Sequence, residues 1–186
     1  MDEVIVLVAL EKELPRTTLP NFHIEYTGVG KVNATFMTSE LINQFSPKTI
    51  INYGTAGSLR NDLSGLVEVS HFFQRDMDVS ALGLEIGETP FDEISEISFG
   101  REGFSCGSGD SFVTELPQLD TDLVDMEAYA IAKVCLYKNV DFLCFKYISD
   151  NADVNASANW NENISHGKDL FQTKIFLFQY PLSYRL

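Results

Sequence analysis

Val4–Leu10 is an unbroken apolar run rich in β-branched residues, a pattern that suits a strand buried on both faces. Such a strand needs covering layers above and below, so it constrains the rest of the chain. Glu11-Lys12-Glu13-Leu14 follows, and Pro15 limits any helix there. Phe22–Tyr26 forms a second short strand that ends in Thr27-Gly28-Val29-Gly30. Lys31–Phe45 then carries a helical pattern in Val32, Phe36, Leu41, Ile42 and Phe45. Thr49–Asn52 is a third strand, followed by Gly54-Thr55-Ala56-Gly57-Ser58. Strand, helix and strand alternate with glycine-rich turns at the strand ends, which predicts an α/β sheet with parallel strands.

Further along, Leu66–Gln74 reads as a long strand and Asp76–Pro90 as a loop. Glu96–Phe99 and Phe104–Cys106 are short strands, and Gly107-Ser108-Gly109 is a third glycine-rich junction. Leu123–Cys135 reads as a buried helix, with Met126, Ala130, Ile131 and Val134 at helical spacing and Glu127 at its start. A carboxylate in that apolar setting is a cap, an ion-pair partner or a working group. Phe142–Ile148 is a buried strand that opens into Ser149-Asp150. Asn161–Phe171 is a last helix, while Pro181 and Tyr184-Arg185 make the end of the chain a poor one. No repeat or linker divides the 186 residues, so residues 1–186 are expected to form one domain, atypical after Gly167.

A net charge of −14 excludes the basic footprint of a nucleic-acid-binding surface and disfavours anionic membranes. No apolar run is long enough to span a bilayer, and Met1-Asp2-Glu3 lacks a basic leader region. Cys106, Cys135 and Cys144 are odd in number and show no ligand spacing, so they read as free thiols of a cytoplasmic protein. His23, His71 and His166 are scattered and suggest no metal site. Gly103-Phe-Ser105-Cys-Gly107 matches G-x-S-x-G, with Asp150 and His166 downstream in hydrolase order. That motif requires a helix after the serine, and Gly107-Ser-Gly109-Asp110 is a poor helix start, so the match is a coincidence.

Glu13, Glu127 and Asp150 fall just past strand ends or at a helix start. In an open α/β sheet the ligand crevice lies outside the carboxyl ends of the strands. The three glycine-rich turns would share that rim and let backbone approach a ligand.

Six segments carry a resemblance, in order: Ala9-Leu-Glu-Lys-Glu13, Thr27-Gly-Val-Gly-Lys-Val-Asn-Ala34, Gly54-Thr-Ala-Gly57, Ser108-Gly-Asp-Ser-Phe112-Val113, Val124-Asp-Met-Glu127-Ala-Tyr-Ala-Ile and Lys146-Tyr-Ile-Ser-Asp150-Asn-Ala-Asp153. With them the chain resembles the 5′-methylthioadenosine/S-adenosylhomocysteine nucleosidases of the purine nucleoside phosphorylase superfamily. The resemblance implies a single α/β domain with a central twisted mixed sheet flanked by helices, and hydrolysis of a purine nucleoside to adenine and a thio-ribose. It implies that Asp150 protonates the leaving purine at N7, oriented by Ser149, and that Glu13 activates the attacking water. Glu127 would hold the ribose hydroxyls beside Met126, and Phe112 would stack on the purine while the Val113 backbone reads the base edge. Thr55, Ala56 and Gly57 would line the ribosyl side. No cofactor is implied, and a homodimer is. Lys146 stands where arginine is usual, Tyr129 where a small residue is usual, and Thr55 where serine is usual. Two alternatives remain. One is a phosphorylase, with Arg16 or Arg75 as the phosphate ligand. The other is a non-catalytic purine-nucleoside-binding protein on the same fold.

Overall fold

The structure, a computed structural model, describes residues 3–179. The expectations for Met1-Asp2, Pro181 and Tyr184-Arg185 lie outside them. In chain order the elements are β1 (Val4–Val8), β2 (His23–Tyr26), α1 (Lys31–Phe45), β3 (Thr49–Ser58), β4 (Leu66–Gln74), β5 (Glu96–Ser98), β6 (Phe104–Ser108), β7 (Leu123–Asp125), α2 (Ala128–Lys138), β8 (Asp141–Asp150), α3 (Ala156–Asn163) and α4 (Lys168–Gln179).

The strands form one mixed sheet, as expected, but it is not open. β2, β1, β3 and β8 run parallel, and β8 then pairs antiparallel with β4. β4 pairs with β6, β6 with β7, and β7 returns antiparallel to β3. Five strands therefore close a ring, with β1 and β2 trailing from β3 and β5 from β4. The first half of β3 pairs with β1, whereas Gly57 and Ser58 at its end pair with Val124 and Leu123. A register shift against β8 between Ala56 and Gly57 marks the change, the kind of bulge that bends a strand. Gly54–Gly57 is thus the second half of a ten-residue strand, not a turn, because pairing with β8 continues through it.

β1 is buried on both faces. Ile5 and Leu7 enter a core shared with α1 and α2, while Val6 and Val8 face a second core with Phe145, Phe171 and Ile175. α1 has the expected bounds but buries a different stripe. Ala34, Thr38, Leu41 and Ile42 face inward, whereas Val32 and Phe36 are 78% and 63% exposed. The small Ala34 and Thr38 side chains let the helix lie close, and Thr38 satisfies its hydroxyl by donating to the Ala34 carbonyl.

The stretch expected as one helix over Leu123–Cys135 divides into β7 and α2. Pairing with β3 and β6 holds Leu123–Asp125 extended, and the helix then runs on to Lys138, ended by Asn139 in the left-handed region. Asp125 Oδ2 accepts from the Ala128 N–H, and Ser108 Oγ accepts from the Tyr129 N–H. Two otherwise unpaired groups at the helix start are met in this way. The expected last helix is likewise two, α3 and α4, separated by a turn through Gly167. α4 is a well-packed element, with Phe171 and Ile175 buried and Phe171 stacked on Tyr53 at 4.3 Å.

Candidate active site

A cavity of about 190 Å³ opens where the closing seam between β3 and β7 meets the ends of β1 and β8. Since β7 is antiparallel to β3, the site is not the single carboxyl rim of an open sheet. All ten residues singled out from sequence line this cavity: Glu13, Thr55, Ala56, Gly57, Phe112, Val113, Met126, Glu127, Ser149 and Asp150. Trp160, Arg75, Asp125 and Val29 line it as well.

Glu13 lies in the turn after β1 and is buried. Its Oε1 accepts from the Thr55 N–H and the Thr55 hydroxyl, both at 2.8 Å, and its Oε2 accepts from the Leu10 N–H at 3.1 Å. Burial pushes its carboxyl upward; the Thr55 donors, Lys146 and the Leu10 N–H oppose that. A carboxylate offers about four acceptor positions. With three filled, Glu13 has room for one water.

Glu127 precedes the first turn of α2, and its Oε1 accepts from the Gly30 N–H at 2.8 Å. Gly30 reaches it with φ +94°, a backbone state that side chains rarely adopt. Burial, and then the charge on Asp125, pushes Glu127 up to about 8. Its carboxyl therefore holds a proton more readily than a free glutamate, and in the protonated form it can donate to a sugar hydroxyl as well as accept from one.

Asp150 ends β8. Ser149 Oγ donates to its Oδ2 at 2.7 Å and the Ala152 N–H to its Oδ1 at 2.9 Å. Ser149 thus makes the contact expected of an orienting group. The backbone of β3 passes so near that a Cβ at Gly57 would lie 2.8 Å from Asp150 Oδ1.

Lys146 is buried behind the carboxylates, with its Nζ 2.7 Å from Asp125 Oδ2. Burial alone would lower its pKa, but Asp125 first, and other acidic groups, hold it above the ordinary lysine range. Burial likewise pushes Asp125 upward, and Lys146, Ser108 and the Ala128 N–H together outweigh it, leaving the carboxyl below its usual range.

Phe112 stands at the mouth, 45% exposed, with the Trp160 ring edge-on at 6.4 Å. Trp160 also donates its indole N–H to Thr55 Oγ1 at 2.9 Å. Sequence reasoning missed Trp160 because α3, Ala-Ser-Ala-Asn-Trp-Asn-Glu-Asn, has no apolar period to announce it. Its being the only tryptophan, ten residues beyond Asp150, was the available signal.

Neither candidate phosphate arginine presents a free fork to the cavity. Arg16 is held outside it by Glu25 and the Ile24 carbonyl. Arg75 spends its terminal nitrogens on the Gly109 carbonyl and on the Ser111 carbonyl and hydroxyl, fixing the loop before Phe112. Ser105 lies inside β6 and is bonded to Asp122, so it forms no nucleophile elbow. His23 and His71 pair with Glu25 and Glu96.

Comparison with known proteins brings four likenesses. A family model described as the phosphorylase superfamily matches residues 20–104 and 100–173. The 5′-methylthioadenosine/S-adenosylhomocysteine nucleosidase of Staphylococcus carnosus is 34% identical, across 74% of this chain and 72% of the relative. Among solved structures, the nucleosidase of the same name from Helicobacter pylori, complexed with a substituted pyrrolidin-3-ol, superposes with a TM-score of 0.84 at 23% identity, covering 95% of this chain and 98% of that one. A futalosine hydrolase mutant from the same organism gives a TM-score of 0.84 at 21% identity, covering 93% and 96%.

Proposed function

The chain belongs to the phosphorylase superfamily and, within it, to the 5′-methylthioadenosine/S-adenosylhomocysteine nucleosidases, and from that premise we propose that it hydrolyses the N-glycosidic bond of one or both of those nucleosides. The observation that carries the reading is the convergence of Glu13, Glu127 and Asp150 on one cavity from three distant segments. Cleavage leaves positive charge on the ribose and negative charge on the departing purine, so a proton donor on the base side and a base on the water side both lower the barrier.

Asp150, oriented by Ser149 and the Ala152 N–H, gives its proton to the purine N7. Glu13 takes a proton from a water held at its one open acceptor position. Glu127 and Met126 hold the sugar, Phe112 stacks on the base, and Val113 presents backbone to its edge. Thr55, Ala56 and Gly57 form the ribosyl wall. Water rather than phosphate is the nucleophile, because a phosphate dianion calls for a guanidinium fork and both candidate forks are engaged elsewhere. The same reading makes the active form a cytoplasmic homodimer. The buried free thiols and the exposed Val32, Phe36 and Phe91 favour it.

The test is adenine release from 5′-methylthioadenosine and from S-adenosylhomocysteine, with and without phosphate, for wild type and Asp150→Asn. Release independent of phosphate that falls by about 10²–10⁴-fold in the variant is expected. Release that requires phosphate would make the protein a phosphorylase. A folded protein that releases no base would be a binding protein.

A further inference from the structure

We propose that Trp160 is a positioning residue for the water-activating base: its indole N–H obliges the Thr55 hydroxyl to give its proton to Glu13. The proposal rests on the nucleosidase reading only for the task assigned to Glu13. The hydrogen-bonded chain itself stands on geometry.

An indole N–H can only donate, so at 2.9 Å from Thr55 Oγ1 it occupies one of that oxygen's lone pairs. The Thr55 hydroxyl has one proton, and Glu13 Oε1 lies 2.8 Å away as an acceptor. The direction is therefore fixed as Trp160 to Thr55 to Glu13. Without the indole the hydroxyl is free to rotate and give its proton to water or to a sugar oxygen. Glu13 would then lose one of its three donors, and the open acceptor position would no longer be single. The chain also ties α3, which follows the Asp150 segment, to the turn after β1 that carries Glu13. The acid's side of the site and the base's side are thereby held in one arrangement. A phenylalanine at 160 would keep the ring beside Phe112 but could not make this bond.

The charged and titratable groups facing Glu13 are Lys146 from β8, Glu127 from the start of α2 and Tyr53 from β3. None of them touches Thr55 Oγ1, whose partners are Glu13 and Trp160.

The experiment compares wild type, Trp160→Phe, Thr55→Val, Thr55→Ser and the Trp160→Phe/Thr55→Val double variant. Trp160→Phe is expected to lower kcat about 5–10-fold with KM within about twofold, and to move the acid limb of the kcat/KM profile upward, since a carboxylate that loses a donor holds its proton more tightly. The double variant should be no worse than Thr55→Val, and Thr55→Ser should restore the profile. A residue that only packs would change KM and leave the acid limb in place. A second readout needs no activity. Trp160 is the only tryptophan, so its emission should step with pH as Glu13 titrates, persist in Glu127→Gln, and vanish in Glu13→Gln and in Thr55→Val. If Thr55→Val does not fold, Trp160→Phe and Glu13→Gln decide the matter. An unchanged acid limb in Trp160→Phe, additive losses in the double variant, or emission that ignores Glu13 would each overturn the proposal. A wild type that releases no base would instead overturn the nucleosidase reading, leaving the emission titration to judge the hydrogen-bonded chain.

Discussion

Lys146 brings one buried cation to a site that holds Glu13, Asp125 and Glu127, and it spends itself on Asp125 at 2.7 Å. Burial, and then the charge on Asp125, pushes Glu127 up to about 8 against the opposing pull of Lys146. The folded state therefore binds a proton at Glu127 that the unfolded chain releases near the ordinary glutamate value of 4.5. The stabilisation is fully present below pH 4.5 and is lost as pH climbs through about 8. At about 1.4 kcal/mol per unit the loss amounts to roughly 3–5 kcal/mol by pH 9. Glu127→Gln keeps an acceptor for the Gly30 N–H but does not titrate. Its melting temperature should rise relative to wild type by roughly 6–20 °C between pH 5 and pH 9. Melting curves taken in parallel across that range test this, and a constant gap would mean that Glu127 is ionised throughout. Site residues beside a recognisable segment, such as Glu127 and Asp150, were legible in the sequence. Asp125 was in view within the same segment, yet its pairing with Lys146 was not, because that contact depends on β7 and β8 joining the same ring.

β3 shows why elements were legible to different degrees. Where hydrophobic period and local signals agree, as in β1, α1 and β4, the expected and observed bounds coincide to within two residues. Where glycine and alanine dominate, as in the second half of β3, only pairing with distant strands distinguishes strand from turn, and β7, three residues running directly into α2, shares that helix's apolar pattern. The second half of β3 is glycine-rich for a reason that belongs to the sheet: at Gly57 it passes β7 and Asp150 too closely for a side chain. A Cβ on Gly57 would meet Asp150 Oδ1 at 2.8 Å and Ala152 Cβ and Val124 Cγ2 at 3.2 Å. Asp150 is held in place by Ser149 and Ala152, so the strain would be relieved by moving the carboxyl or the strand. Gly57→Ala should therefore lower kcat by about 10²-fold, as a displacement near 1 Å of a positioned group does. Far-UV dichroism should stay close to wild type. Full activity in this variant would show that the acid tolerates displacement, and would remove the close approach from the account.

At the scale of the whole molecule, the ring of β3, β8, β4, β6 and β7 joins strands far apart in sequence, from Thr49 in β3 to Asp150 in β8. The two cores lie on opposite faces of shared strands: Ile50 and Phe142 point into one, Ile51 and Phe145 into the other. Loss of either core exposes the strands that build its partner, and opening the seam between β3 and β7 also opens the cavity. No stable half should survive. Unfolding should be a single transition, with far-UV dichroism and the emission of Trp160 giving the same midpoint, although the one reports the sheet and the other α3. A chain of this length should absorb about 130 kcal/mol near 60 °C, at roughly 0.7 kcal/mol per residue. If the active form is a dimer, the midpoint should also rise with protein concentration, because association draws on the folded state alone. Two separated midpoints would divide the chain into independently stable parts, and α3, with its indole tied to Thr55, would be the place to look for the boundary.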